Sequence, residues 1–214
     1  MLSYRALAFH SALVAGLSLF SGTASALSFG AGPLLGVNFA NASAEAGGND
    51  IKTEMLTRFA FGARTEFGVT SPFSLLLEPM YLQRGATSKV DLGPFGTVKS
   101  DERLNYLELP VLAKAKFGSM KAHGYAFAGP SVGFFLNGES ETDGNTDKID
   151  SGITTVHFAG EVGVGGSYQV QEFIYLNADV RYSFGFTNVN DDSDSKWKSR
   201  DIRLMACVLF HLTK

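Results

Sequence analysis

The feature that most constrains the fold of this chain is a period-two alternation of apolar and other residues. In the segment around Leu107 and Leu109, for example, the apolar residues alternate with Tyr106, Glu108 and Pro110. Such alternation is typical of a β-strand with one apolar face, and no comparable stretch has a helical period. The sequence therefore predicts an all-β chain. The expected strands are Leu27–Phe39, Leu56–Val69, Phe73–Gly85, Arg103–Phe117, Gly124–Leu136, Ile153–Val170, Phe173–Phe186 and Ser199–Thr213.

The connections between these eight segments are alternately long and short. The short ones follow segments two, four and six, and the long, polar ones are Ala40–Met55, Ala86–Glu102, Asn137–Gly152 and Thr187–Lys198. An antiparallel up-and-down barrel places alternate connections at opposite ends. Bacterial outer-membrane barrels have this asymmetry, with short periplasmic turns and longer external loops. We therefore expect an eight-stranded antiparallel up-and-down transmembrane β-barrel.

The first segment, Met1–Ala26, has the layout of a secretory signal peptide. It has a basic start at Arg5, an apolar run, and small residues that end in an A-x-A cleavage site. We therefore expect residues 1–26 to be a signal peptide and residues 27–214 to form the barrel. Cys207 is the single cysteine, which excludes an intramolecular disulfide framework and a cysteine-based zinc site.

The composition of the less apolar face predicts which face of the barrel points outward. On segments two, five and six this face is mainly Gly and Ala, for example Gly62, Gly133 and Gly163, with isolated charges among them. The lumen of an eight-stranded barrel is just wide enough for side chains to fill it, and small residues suit that space. We therefore expect the apolar face to contact lipid. A soluble lipocalin-like ligand binder is an alternative that requires the faces to be inverted.

The charges on this inward parity are close to balance, with seven Lys and Arg against six Asp and Glu. Charges enclosed in a narrow lumen must be paired, because an unpaired buried ion costs several kcal/mol. We therefore predict a structural network of ion pairs, with His157 as a hydrogen-bonding filler. A small-solute channel is the alternative. The predicted network is Arg64, Glu66, Glu78, Glu108, Lys114, His157, Glu161, Asp179, Arg181 and Arg203.

The long connections are acidic, and no motif for catalysis or metal binding holds. They carry fourteen Asp and Glu against six Lys and Arg, which argues against nucleic acid as a partner. The segment that begins at Asp143 has the start of a calcium loop, but Lys148 replaces the required glycine and Thr154 the bidentate glutamate. There is no H-E-x-x-H and no phosphate-binding glycine loop followed by Lys. We expect neither an enzyme nor a cofactor nor a metal site.

Pro110 is the exception within the fourth segment. A paired strand loses one backbone donor at proline, and a closed barrel has no free edge where this loss would be harmless. The sequence therefore predicts a local bulge or a skipped ladder bond at Pro110.

Four motifs, in order, resemble those of the PorT-like outer-membrane β-barrel proteins. In chain order they are the stretch from Leu75 to Gly85, Leu104–Leu112 (LNYLELPVL), Gly129–Gly133 (GPSVG) and Asp179–Asn188 (DVRYSFGFTN). The resemblance implies an outer-membrane barrel of a Gram-negative bacterium without known catalysis or cofactor. It also implies contact with outer-membrane lipid and with the barrel-assembly machinery during biogenesis. The function expected is a structural or interaction role in the cell envelope, with an envelope protein as a further possible partner.

Overall fold

The structure is a computed structural model that describes residues 28–46, 49–51, 53–85, 87–91, 97–119, 121–142, 145–149, 154–187 and 195–212. All regular elements in these ranges are β-strands. In chain order they are β1 (Phe29–Ala46), β2 (Asn49–Ile51), β3 (Thr53–Glu54), β4 (Leu56–Thr70), β5 (Phe73–Leu77), β6 (Met80–Arg84), β7 (Thr87–Asp91), β8 (Thr97–Gly118), β9 (Ala122–Thr142), β10 (Asn145–Ile149), β11 (Val156–Gln171), β12 (Ile174–Gly185) and β13 (Ser195–His211).

The antiparallel pairings form a closed ring with eight positions. The order around the ring is β1, β4, β5 with β6, β8, β9, β11, β12 and β13, and β13 pairs back with β1. The ring closes through a long ladder that runs from Gly30 opposite His211 to Ala46 opposite Ser195. The predicted eight-stranded antiparallel architecture is confirmed.

Several wall strands, among them β8 and β9, extend further than the alternation predicts. β8 has 22 residues and β9 has 21, whereas a tilted strand needs only about 9–11 residues to cross a bilayer. The short strands β2, β3, β7 and β10 also lie in segments expected to be loops, and they pair with these extensions or with each other. The alternation misses them because they lie in polar segments, and a ladder of backbone bonds does not by itself require an apolar parity.

The short turns gather at the other end of the ring. They connect β4 to β5 through Ser71 and Pro72, β8 to β9 after Gly118, and β11 to β12 after Gln171. Gly118 has a φ of +118°, a conformation that glycine adopts without the steric cost of a side chain. Both termini of the ring, Phe29 and His211, lie at this end. We call it the short-turn end.

The backbone loses a ladder bond at Pro110 without forming a bulge. The Glu78 N–H donates to the Pro110 carbonyl at 3.2 Å, and Pro110 has no N–H with which to return the bond. In the same way the Ala63 N–H donates to the Pro79 carbonyl at 3.0 Å, and Pro79 cannot reciprocate. These missing bonds lie where the third wall strand divides into β5 and β6. The skipped bond expected at Pro110 is confirmed, and the register shift between β8 and β9 lies instead at Asn105 and Tyr106, where the extra residue, Leu136, is on β9.

The two faces of the wall differ in the way that the alternation predicts. Large apolar side chains point away from the ring, and Phe59 is 71% exposed and Phe117 is 61% exposed. The alternate residues are enclosed, among them the charged side chains of Arg64, Glu108 and Arg203. The residues that the structure describes include no helix long and apolar enough to cross a membrane.

Candidate functional site

Arg181 is the hub of a group of charged side chains at mid-height in the lumen. Its guanidinium donates to Asp179 Oδ1 at 2.6 and 2.9 Å and to Glu78 Oε2 at 2.6 Å, and it lies 3.4 Å from Glu161 Oε2. Arg64 binds the other oxygens of the same carboxylates, Glu78 Oε1 at 2.5 Å and Asp179 Oδ2 at 2.7 Å. These five side chains are buried. Because each carboxylate lies between two guanidiniums, removal of any one charge would leave others uncompensated.

A second group joins the first through Glu161. Arg203 donates to Glu161 Oε1 at 2.8 Å and to Glu108 Oε2 at 3.2 Å. Arg84 in turn donates to Glu108 at 3.1 Å, and its Nε lies 2.8 Å from Asp201 Oδ2. All of these contacts connect into one set, which we call the central network. Its members are Arg64, Glu78, Arg84, Glu108, Glu161, Asp179, Arg181, Asp201 and Arg203.

Two contacts of the central network cross the full width of the lumen. Arg181 is on β12 and Glu78 follows β5, while Arg203 is on β13 and Glu108 is on β8. In each case the two strands are fourth neighbours around the eight-position ring, so they face each other across the lumen. Each of these ion pairs therefore connects opposite walls of the ring, with contacts of 2.6 and 3.2 Å.

A separate group of charges lies nearer the short-turn end. Glu66 accepts a hydrogen bond from Lys114 Nζ at 2.8 Å, and Lys116 Nζ lies 2.5 Å from the other carboxylate oxygen. Lys114 also lies over the Tyr125 ring, 4.1 Å from its centroid. We call Glu66, Lys114 and Lys116 the floor cluster. The central network has five carboxylates and four guanidiniums, and the floor cluster has two ammonium groups and one carboxylate, so the twelve charges balance.

Apolar and aromatic side chains fill the rest of the lumen. One buried group, on strands β1, β4, β6 and β13, is Leu34, Ala60, Met80, Leu82, Met205, Cys207 and Leu209. On the other side, Tyr125 packs with Leu76, Leu112 and Phe127 and donates to Asp179 Oδ2 at 3.1 Å. Gly165 makes room for this tyrosine, because a Cβ there would lie 2.5 Å from the ring. The sequence-based prediction emphasised small residues and charges in the lumen and did not identify these two groups, although most of their members lie on the predicted inward parity.

His157 lies beside the central network and is not joined to it by an ion pair. Its Nε2 is 3.1 Å from Ser199 Oγ and its Nδ1 is 3.0 Å from Thr187 Oγ1. Both ring nitrogens therefore have hydroxyl partners. This geometry suits the role of a hydrogen-bonding filler.

A model of a known protein family matches most of this chain. Residues 20–191 match the family model described as the outer membrane protein beta-barrel domain. The chain belongs to this family. A comparison with curated protein sequences finds no match.

Solved structures of outer-membrane proteins are similar to this one. The outer membrane protein OprG from Pseudomonas aeruginosa is 13% identical, with a TM-score of 0.54, and the match covers 88% of this chain and 97% of that one. The outer membrane protease OmpT from Escherichia coli is 8% identical, with a TM-score of 0.51, and the match covers 90% of this chain and all of that one. At these identities the likeness shows the fold alone.

Family membership and the exposed apolar wall together place this outer-membrane barrel in the bacterial outer membrane, with its wall in contact with lipid. A soluble lipocalin-like binder would carry its charged residues outside, whereas Arg64, Arg181 and Arg203 are fully buried within the ring. That alternative is wrong.

The predicted network separates into three groups in the structure. Arg64, Glu78, Glu108, Glu161, Asp179, Arg181 and Arg203 belong to the central network, Glu66 and Lys114 to the floor cluster, and His157 to neither. Asp179 and Arg181, two residues apart on β12, bind each other. Arg64 and Glu66, two residues apart on β4, instead bind partners on other strands. Arg84 and Asp201, counted on the inward parity but absent from the predicted network, complete it.

The described part of the chain contains no group of three or more His, Cys, Asp or Glu side chains that could hold a metal ion. Asp143, at the start of the segment that is similar to a calcium loop, lies outside the described residues. The segment expected to be a signal peptide, residues 1–26, also lies outside the described residues.

Proposed function

We propose that this outer-membrane barrel has a structural or interaction role in the cell envelope, and that its lumen is a closed, charge-paired plug that does not conduct solutes. The observation that carries the proposal is the pair of contacts between opposite walls, Glu78 with Arg181 and Glu108 with Arg203. Side chains that meet across an eight-stranded barrel leave no bore for a solute. On this proposal the plug makes the barrel rigid, and the extended strands opposite the short-turn end carry the surface that contacts a partner.

The finer assignments belong to the same proposal. The four motifs favour membership of the PorT-like branch of the family, and the barrel-assembly machinery would insert the chain. We propose that the chain is not an enzyme, because the sequence lacks the catalytic motifs considered above and each charged group of the central network is committed to an ion pair. OmpT is a protease, but 8% identity extends the fold to this chain and not the activity.

Planar-bilayer recording tests the plug against the alternative of a small-solute channel. The folded wild-type barrel should show no conductance. The double variant Glu108→Ala/Arg203→Ala removes one contact between opposite walls and should open measurable conductance. The matched control is Leu109→Ala/Leu204→Ala, which truncates lipid-facing neighbours on the same two strands. This control should remain silent. Steady conductance of the wild-type barrel would establish the channel instead.

The interaction role needs its own measurement. Photo-crosslinking groups placed one at a time at exposed positions of the projecting strands, such as Glu139 and Lys148, should capture the same envelope protein in intact cells. Positions at the short-turn end, such as Ser119, serve as controls. If the projecting positions capture nothing beyond the controls, the barrel has a purely structural role.

A further inference from the structure

A cavity of about 500 Å³ opens at the short-turn end, below the floor cluster. It lies between the β4–β5 and β8–β9 turns and reaches the inward face of β12. Polar groups line much of it, including Ser28, Ser74, Lys116, His123 and Tyr175. No member of the central network lines this cavity.

The charge at this cavity is positive. Lys114 and Lys116 share the single carboxylate of Glu66, which leaves one positive charge in excess. The cavity lining that the structure describes contains no carboxylate. The negative charge that balances this excess belongs to the central network, and Tyr125, whose ring contacts Lys114 and whose hydroxyl donates to Asp179, lies between the two groups. A positive charge at a partly enclosed mouth attracts anions.

Lys116 has hydrogen-bond donors that face the cavity. Its side chain is 26% exposed, compared with 1% for Lys114, and it lines the cavity whereas Lys114 does not. An ammonium group has three donors, and Glu66 takes up only one of those on Lys116. His123 lines the same space. The centroid of the Tyr175 ring lies 6.3 Å from that of the His123 ring and 4.7 Å from that of the His211 ring. Cationic, imidazole and hydroxyl donors therefore surround one recess.

We propose that this cavity binds a small oxyanion, a phosphate or carboxylate group, which Lys116 holds by a charge-assisted hydrogen bond and His123 supports. The short-turn end faces the periplasm in barrels of this class, so a free anion could enter from there. The headgroup of a phospholipid in the inner leaflet is the other source of the same chemistry. Phe73 and Phe117 favour this source geometrically, because they line the cavity and also project from the lipid-facing wall.

The test uses inorganic phosphate and the full barrel purified in a non-ionic maltoside detergent, which contributes no phosphate of its own. Calorimetric titration should show saturable binding of one phosphate per barrel. Lys116→Gln should weaken this binding by about tenfold or more, since a hydrogen bond to a charged group contributes at least that much. Lys121→Gln is the matched control, because Lys121 is an exposed lysine of the adjacent turn that does not line the cavity. It should leave the affinity unchanged.

A second arm separates the two sources of the anion. Short-chain phosphatidylglycerol, kept below its micelle concentration, should compete with phosphate for the same site. If the source is lipid, it should bind about tenfold more tightly than phosphate, and Phe117→Ala should abolish that gain. If the source is a free anion, the two probes should bind equally and Phe117→Ala should have no effect.

Heat-modifiable migration on a gel verifies that each variant is folded, and His123→Gln is the substitute if Lys116→Gln fails to fold. The inference is overturned if neither probe shows saturable binding, or if Lys121→Gln weakens binding as much as Lys116→Gln. Because the bilayer recordings do not depend on this cavity, the two proposals succeed or fail separately.

Discussion

The central network and the floor cluster are built from the same kinds of charge but in different surroundings. In the central network, guanidiniums bind carboxylates from opposite walls, and the side chains are almost completely buried. In the floor cluster, two flexible lysines share one carboxylate beside an open cavity. This comparison indicates that ion pairs in this barrel have two roles. The central pairs fix the walls to each other, and the floor pairs leave a charge available.

The choice of residue follows this division. A guanidinium has five donors in a rigid planar arrangement, so one arginine can bind two or three carboxylates at once. Arg181 does so with Glu78, Asp179 and Glu161. A lysine ammonium is a compact charge on a flexible stem and has donors to spare for a ligand. Lysine at the hub could not hold the same three carboxylates.

The largest effect should come from removing the hub of the central network. Arg181→Met leaves three buried carboxylates with fewer cations, and loss of one partner from a buried ion pair costs about 3–5 kcal/mol. The free energy of unfolding, measured by urea titration of the barrel in phospholipid vesicles, should fall by about that amount. Lys116→Met, in the floor cluster, is the control and should cost less than about 1 kcal/mol. Equal losses would remove the distinction between the two groups.

A double-mutant cycle measures the contact between the walls directly. Glu78→Gln and Arg181→Met should be coupled, so that the double variant loses less stability than the sum of the single variants. Residues that share a buried network have interaction energies of about 0.5–3 kcal/mol, and we expect the upper half of that range here. Glu66→Gln with Arg181→Met is the comparison pair, because Glu66 belongs to the floor cluster. That pair should be additive within about 0.5 kcal/mol, and coupling as strong as that of Glu78 would merge the two groups into one.

Period-two alternation is enough to predict the fold, the two faces of the wall and the grouping of the short turns at one end of the barrel. It succeeds because the membrane requires an apolar outer parity along every wall strand. It fails for β2, β3, β7 and β10, because these short strands lie in polar connections and pair through backbone bonds, which demand no particular side chain. It fails also at Glu78 and Pro79, where the third wall strand divides because two prolines on adjacent strands each lack a donor.

The pairing of the charges could be predicted only in part. Alternation identifies Arg64, Glu66 and Glu78 as inward residues, and near-balance of charge indicates that they must be paired. The identity of each partner depends on the tilt of the strands and on which residues reach the same height across the lumen. Asp179 and Arg181 are close in sequence and bind each other, whereas the partners of Arg64, Glu78 and Asp179, lie on other wall strands.

A smaller effect should separate the two lysines of the floor cluster. Lys114 is buried and contacts both Glu66 and the Tyr125 ring, so Lys114→Met should cost about 1.5–3 kcal/mol, the range for hydrogen bonds to charged groups. Lys116→Met should cost less than about 1 kcal/mol, because its side chain is partly exposed to water. Urea titration of both variants under the same conditions gives the comparison. A larger loss at Lys116 would mean that its contact with Glu66 is the structural one and would weaken the case for a free donor.

The smallest effect is the response of these losses to salt. Raising the ionic strength from about 0.1 M to about 1 M shortens the screening length from about 10 Å to about 3 Å, which weakens interactions between charges that reach water and hardly affects sealed ones. We therefore expect the cost of Lys116→Met to approach zero at high salt, while the cost of Arg181→Met changes by less than about 0.5 kcal/mol. The measurement is the urea titration repeated at both salt concentrations, with wild type at each as the reference. A salt-sensitive loss at Arg181 would show that water reaches the central network, and the lumen would then be open at the height where Glu78 and Arg181 meet.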